Sequence, residues 1–126
     1  MTITSAKDLV AQANKEIMTL TPEEAVARFG KPGVVFIDVR ETDELQKMGK
    51  VKGAVHTPRG MLEFQADPSS PAHKPEYEVG KELILYCGTG GRSALAAKAL
   101  KDMGFVKVAH VAGGFPALQN AGMPID

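Results

Sequence analysis

The chain has 126 residues, 44% hydrophobic and 24% charged, the make-up of one ordinary globular domain with a core of its own. Fifteen basic residues balance fifteen acidic ones, aromatic residues are 6% and Trp is absent, so neither bulk charge nor stacking capacity points to nucleic acid or an anionic membrane surface. The single cysteine, Cys87, excludes an internal disulfide, and His56, His73 and His110 are too scattered beside it to form a zinc pattern.

In chain order, residues 5–16 predict a short amphipathic helix. Ser5 and Asp8 form a capping pattern, and Ala6, Leu9, Val10, Ala13 and Ile17 recur at helical spacing. Its apolar face is narrow and its polar face is not strongly basic, so it reads as a flank packed on the domain and not as a membrane anchor. No apolar run approaches the roughly 20 residues a membrane span needs. The amino terminus has no basic start leading into an apolar stretch, so no secretory signal is expected. The cytoplasm, where a lone thiol stays reduced, is the expected compartment.

Thr21-Pro22-Glu23-Glu24 is a helix start, with a capping Thr, Pro at the first position and Glu three residues after the cap; Gly30 ends that helix. Residues 34–37, all apolar and mostly β-branched, predict a buried strand of the kind found in parallel sheets. A short helix over 41–48 stops at Gly49, a short strand falls around 54–55, and a small helix follows near 60–64. Residues 67–80, with Pro68, Pro71 and Pro75, form a surface loop. Residues 83–86 are a second buried strand, followed by a helix over 93–103 that Gly104 terminates. Residues 106–111 read as a strand with Val106, Val108 and His110 on one face, which makes His110 half-buried. A last helix lies near 116–120. Strands alternating with helices predict an α/β fold with a parallel sheet.

The chemistry is concentrated in Cys87-Gly88-Thr89-Gly90-Gly91-Arg92-Ser93. The cysteine directly follows a buried strand, a glycine-rich loop follows it, and a helix then begins. Ligands of open α/β sheets sit beyond the carboxyl ends of the strands, where helix amino termini present free N–H groups. A thiol placed there is shifted toward the nucleophilic thiolate. The glycines let the backbone curl until several N–H groups face one point, and Arg92 adds a fixed charge with a planar fork of donors.

This segment resembles the active-site loop of the rhodanese family. Three further pieces agree. Phe36-Ile37-Asp38-Val39-Arg40-Glu41 is similar to the family's amino-terminal signature. Gly49-Lys50-Val51-Lys52-Gly53-Ala54-Val55-His56-Thr57-Pro58 is similar to a segment that usually reads G-H-I-P-G-A. The stretch from Val111 to Leu118, with Ala121-Gly122-Met123-Pro124, is similar to the carboxyl-terminal signature. The sequence departs from the pattern at Lys50, where His is usual, and at Leu118, where Trp is common.

The resemblance implies a five-stranded parallel sheet flanked by helices on both faces, with residues 17–126 as the rhodanese domain and 1–16 as a helical extension. It implies a sulfurtransferase of the thiosulfate:cyanide type. Cys87 would carry a sulfane sulfur as a persulfide, taken from a donor such as thiosulfate and passed to a thiol or cyanide. Gly88, Thr89, Gly90, Gly91, Arg92 and Ser93 would bind substrate, with Asp38 and Arg40 as supporting residues. The partners implied are the small-molecule donor and acceptor, with a protein thiol as a further acceptor, and neither nucleic acid nor membrane; no cofactor and no metal is called for.

Among the other residues, Arg92 is expected to pair with Asp38 across the sheet edge. Arg59 reads as a solvated Arg near the entrance, His56 as a hydrogen-bonded loop residue, and His73 as solvent-exposed. Two rival classes stand beside the sulfurtransferase. One is a cysteine phosphatase or arsenate reductase, which cradles its anion similarly; cysteine phosphatases place one more residue between Cys and Arg than the four found here. The other is a binding module that keeps the fold without catalysis, for which loss of the cysteine would be the mark.

Overall fold

A computed structural model describes residues 2–126. Five parallel strands form one sheet in the order β1-β5-β4-β2-β3: β1 (Met18–Leu20), β2 (Val34–Asp38), β3 (Val55–His56), β4 (Glu82–Tyr86) and β5 (Val108–Val111). Six α-helices connect them: α1 (Ala6–Glu16), α2 (Pro22–Arg28), α3 (Thr42–Met48), α4 (Leu62–Ala66), α5 (Gly91–Met103) and α6 (Gly114–Asn120). A 3₁₀ turn, Arg59–Met61, leads into α4. The α/β fold with helices on both faces is therefore the one expected.

The helix ends follow from their sequences. The Thr21 hydroxyl accepts from Glu24 N–H while the Glu24 carboxylate accepts from Thr21 N–H, the reciprocal capping that this tetrapeptide predicts. Ser5 caps α1 by accepting from Asp8 N–H. Gly49, at φ 80°, ends α3, and Gly104, at φ 112°, ends α5, conformations that side-chain-bearing residues rarely adopt.

Each sheet face has its own core. On one, Leu83, Leu85, Ile37 and Val39 meet Ala13 from α1 and Ile17 just after it, Leu62 and Ala66 from α4, and Ala94, Ala97 and Leu100 from α5. On the other, Phe36, Ile84, Tyr86 and Ala109 meet Ala25 from α2 and Phe115 and Leu118 from α6. The buried alanines of α5 pack the helix on the sheet, with its amino terminus following the end of β4. The flank helix α1 packs on the domain through Ala13, buried in that first core.

Several expectations need correction. Strand β1 was not anticipated: it is three residues long between two helices, too short for any periodicity to register. The final strand begins at Val108, not Val106, and does not alternate. All four of its residues are buried, because it lies inside the sheet between β1 and β4 with helices on both sides, whereas Val106 is 73% exposed. His110 is accordingly buried, not half-buried. His73 is partly buried, with its Nε2 enclosed and unpartnered, not solvent-exposed. The helices near the site start two residues earlier than expected, at Gly91 and Gly114.

Candidate active site

The register of the sheet decides what meets at its carboxyl edge. Asp38 lies opposite Tyr86 and Leu85 opposite His110. Cys87, the residue after Tyr86, thus emerges beside the end of β2 and close to the end of β5. Its side chain is fully buried under the loop that runs into α5.

Gly90 is the residue before α5, at φ 115°, and no side chain caps the helix. The Cys87 sulfur takes the place of a capping oxygen. Gly90 N–H donates to Sγ at 3.0 Å, and the Ser93 hydroxyl stands 3.5 Å from it. Burial works against the thiolate, but the Ser93 hydroxyl and the N–H groups of Ser93, Gly90 and Thr89 outweigh it, so the thiol is held below its ordinary pKa. Gly88, Gly90 and Gly91 are partly buried and Thr89 is exposed, so the loop forms a thin cover between sulfur and solvent.

The floor of the site was not legible in the sequence. Gly114 has φ 66°, and a Cβ there would stand 2.5 Å from both Cys87 O and Gly88 O. The absence of a side chain lets the β5–α6 turn press against the loop, and Phe115 N–H then donates to Cys87 O at 2.8 Å. We expect Gly114→Ala to cost at least about 1–2 kcal/mol from the left-handed backbone alone, with overlap against two carbonyls added. Urea unfolding of the variant measures that loss, and unchanged stability would show that the turn relaxes freely.

Arg92 does not pair with Asp38. Its guanidinium makes a two-pronged contact with Glu44 of α3, Nη1–Oε1 2.7 Å and Nη2–Oε2 3.0 Å. Asp38 is instead taken by Arg40: Oδ2 accepts from Nη2 at 2.7 Å, and both side chains are essentially inaccessible. The proximity of Arg40, two residues along its own strand end, wins over the distant Arg92. Arg40 also donates to Gly49 O at 2.7 Å, and its guanidinium lies 4.2 Å from the centre of the Phe115 ring. This pair ties the end of β2 to the end of α3 and to α6. Hydrogen bonding from Arg92 holds the Glu44 carboxyl down at about 2. That residue was missed; its place in the first turn of α3, just beyond the Phe36–Glu41 signature, is the only sequence cue.

His56 is hydrogen-bonded as expected, its Nε2–H donating to Arg40 O at 2.7 Å. Arg59 pairs with Glu63 at 3.0 Å, one turn along. His110 was assigned no role, yet its Nδ1 stands 3.0 Å from the Ser93 hydroxyl.

A model of the rhodanese-like domain matches residues 21–121. The chain belongs to the rhodanese-like family. It is 30% identical over 108 residues to the thiosulfate sulfurtransferase GlpE of Actinobacillus succinogenes, covering 85% of this chain and 88% of that protein. The polysulfide-sulfur transferase homodimer of Wolinella succinogenes superposes with a TM-score of 0.76 at 32% identity, over 95% of this chain and 85% of that one. A Rhodopseudomonas palustris protein of unknown function, described as a possible tyrosine phosphatase, superposes with a TM-score of 0.94 at 45% identity, over 100% of this rhodanese-like chain and 98% of that one. Three further curated relatives are longer, and the chain spans 30 to 59% of their length. Among the described residues, no helix is long and apolar enough to cross a membrane.

Proposed function

We propose that this rhodanese-like protein is a sulfurtransferase that carries sulfane sulfur on Cys87. The observation that carries the reading is the sulfur itself: a lone thiol, held low in pKa, sits where a helix cap belongs, with backbone N–H groups aimed at it. In the first half-reaction the Cys87 thiolate attacks the outer sulfur of thiosulfate. The S–S bond of the donor breaks, its electron pair leaves with sulfite, and Cys87 is left as a persulfide anion. In the second, a thiolate or cyanide attacks the outer sulfur and Cys87 leaves as thiolate, giving an acceptor persulfide or thiocyanate. The charge stays constant through each step, so the loop N–H groups that suit a thiolate also suit the persulfide anion. Small-molecule donors and acceptors, with a protein thiol among the acceptors, and a cytoplasmic setting that keeps Cys87 reduced belong to the same proposal.

The description of the Rhodopseudomonas palustris protein raises phosphoryl transfer as a second reading. Two features weigh against it. Four residues separate Cys87 from Arg92, one fewer than in cysteine phosphatases, which makes a tighter loop. Arg92, the group that would clamp a phosphate, is already bound by both prongs to Glu44. Incubation with thiosulfate should add the mass of one sulfur atom to the intact protein, and subsequent cyanide should remove it and yield thiocyanate. A chain that gains no sulfur yet hydrolyses an aryl phosphate would overturn the assignment.

A further inference from the structure

Behind the cysteine runs a continuous polar path that the transfer chemistry does not account for. The Cys87 thiol is 3.5 Å from Ser93 Oγ, Ser93 Oγ is 3.0 Å from His110 Nδ1, and His110 Nε2 is 2.9 Å from Asn14 Oδ1 and 3.2 Å from Thr19 Oγ1. Cys87, Ser93 and His110 are buried, whereas Asn14 on α1 and Thr19 on β1 are exposed at an open groove with Val10, Thr89 and Gly113. A sulfur covered by its loop is thus joined to a solvent-open groove through two hydroxyls, one amide and one imidazole.

We propose that Ser93 and His110 draw the Cys87 proton off toward this groove and are left donating along the path to the thiolate, with Asn14 and Thr19 holding both tautomers of the His110 ring. The inference rests on the nucleophilic role of Cys87 given above. In the thiol form, S–H donates to Ser93 Oγ, Ser93 O–H donates to Nδ1, and Nε2–H donates to Asn14 Oδ1. Ionisation breaks the S–H bond and forms O–H on Ser93, while the original Ser93 proton moves to Nδ1. The imidazolium then gives its Nε2 proton to water in the groove. The ring is left neutral with hydrogen on Nδ1, donating to Ser93, whose hydroxyl now donates to the thiolate. The Thr19 hydroxyl, able to donate as well as accept, turns its hydrogen to the bare Nε2. Every donor has an acceptor before and after, which is why a buried thiol can ionise here without stranding a polar group.

His110 touches no reacting atom in this scheme and is a positioning residue acting through Ser93. The groups facing it are the Ser93 hydroxyl from α5, the Thr19 hydroxyl from β1 and the Asn14 amide from α1, and burial alone depresses its basicity. A depressed pKa suits a ring that must shed the proton it receives. Ser93 has a competing acceptor in Gly90 O at 3.2 Å, so the Nδ1–H donor also frees the Ser93 hydrogen to point at sulfur.

The test is the pH profile of Cys87 alkylation by iodoacetamide, which needs no sulfur transfer and so separates this proposal from the one beneath it. Thiosulfate loading is followed in parallel by stopped flow. His110→Phe keeps a ring of similar bulk but removes the Nδ1–H donor that leaves the Ser93 hydrogen to point at the sulfur. We expect its alkylation profile to move to higher pH, with the rate at neutral pH falling about tenfold, the effect of one pKa unit. Ser93→Ala should show at least the same shift, and the double variant no further one, since both act on one path. The paired surface change Asn14→Ala with Thr19→Val, which leaves the core untouched, should move the profile in the same direction. Profiles of folded His110→Phe and of the paired surface variant that superpose on wild type overturn the proposal, as does a further shift in the double variant.

Discussion

Cys87→Ser is expected to abolish sulfur transfer while leaving the melting temperature nearly unchanged. Serine places a hydroxyl of similar size under the same Gly90 N–H and beside Ser93, so the loop keeps its acceptor. An alanine would be a poorer choice. It strands that donor in a covered site, at a typical cost of about 1–3 kcal/mol, and so mixes stability with chemistry. A serine hydroxyl is not ionised at neutral pH and nothing in the site removes its proton fully, so no nucleophile of comparable strength remains. Removing a nucleophile of this kind lowers turnover by on the order of 10⁴ or more. The measurement is thiocyanate formation from thiosulfate and cyanide, with circular dichroism to establish folding. Transfer by the serine variant at a comparable rate would mean that sulfur passes through the protein without a covalent stop at residue 87.

What the sequence disclosed and what it withheld divide along the range of the interactions. Local features were readable. The Thr21–Glu24 cap closes within a single turn, the strands are marked by the continuous apolar runs at 34–37 and 83–86, and the cysteine, its glycines and Arg92 are neighbours in the chain. What the sheet brings together from afar was not readable. The residue numbers of Glu44 and Arg92, or of Asn14 and His110, say nothing of their contact, which exists only because β2 and β5 both flank β4 and α1 lies on α5. His110 illustrates the point. An alternating pattern read on its own strand predicted one exposed face, whereas the interior position of β5 in the sheet buries both faces and turns the ring toward Ser93. Gly114 was hidden for another reason: a glycine pair before a helix reads as an ordinary turn, and only the 2.5 Å approach of two carbonyls shows why a side chain is excluded.

The correction at Arg92 changes the expected result of removing it. Thiosulfate brings negative charge toward a thiolate, and Arg92 is the positive side chain within the loop. That charge is not free, because Glu44 holds the guanidinium by both nitrogens and its carboxyl, kept down at about 2, is ionised at any working pH. Arg92→Ala therefore does two things at once: it removes a cation and uncovers an anion. Losing a charge-assisted contact costs about 1.5–3 kcal/mol, or roughly 10–150-fold in loading rate where the contact is made in the transition state. The exposed carboxylate should carry the loss toward the upper end. Arg92→Lys keeps the charge without the planar fork and should fall between wild type and alanine. Glu44→Gln, by contrast, releases the guanidinium and should speed loading several-fold; the ion pair is partly exposed, so its stability cost stays within about 1 kcal/mol. The double variant Arg92→Ala with Glu44→Gln should recover part of what Arg92→Ala loses, since the uncovered anion is gone. Cyanide attack on the loaded protein should change less throughout, because hydrogen cyanide enters neutral. Stopped-flow loading and unloading, measured separately across the four variants and at two ionic strengths, distinguish these contributions. Identical loading in wild type and Arg92→Ala would show that Arg92 serves only to tie α5 to α3 through Glu44, and that the backbone N–H groups alone offset the charge of the incoming donor.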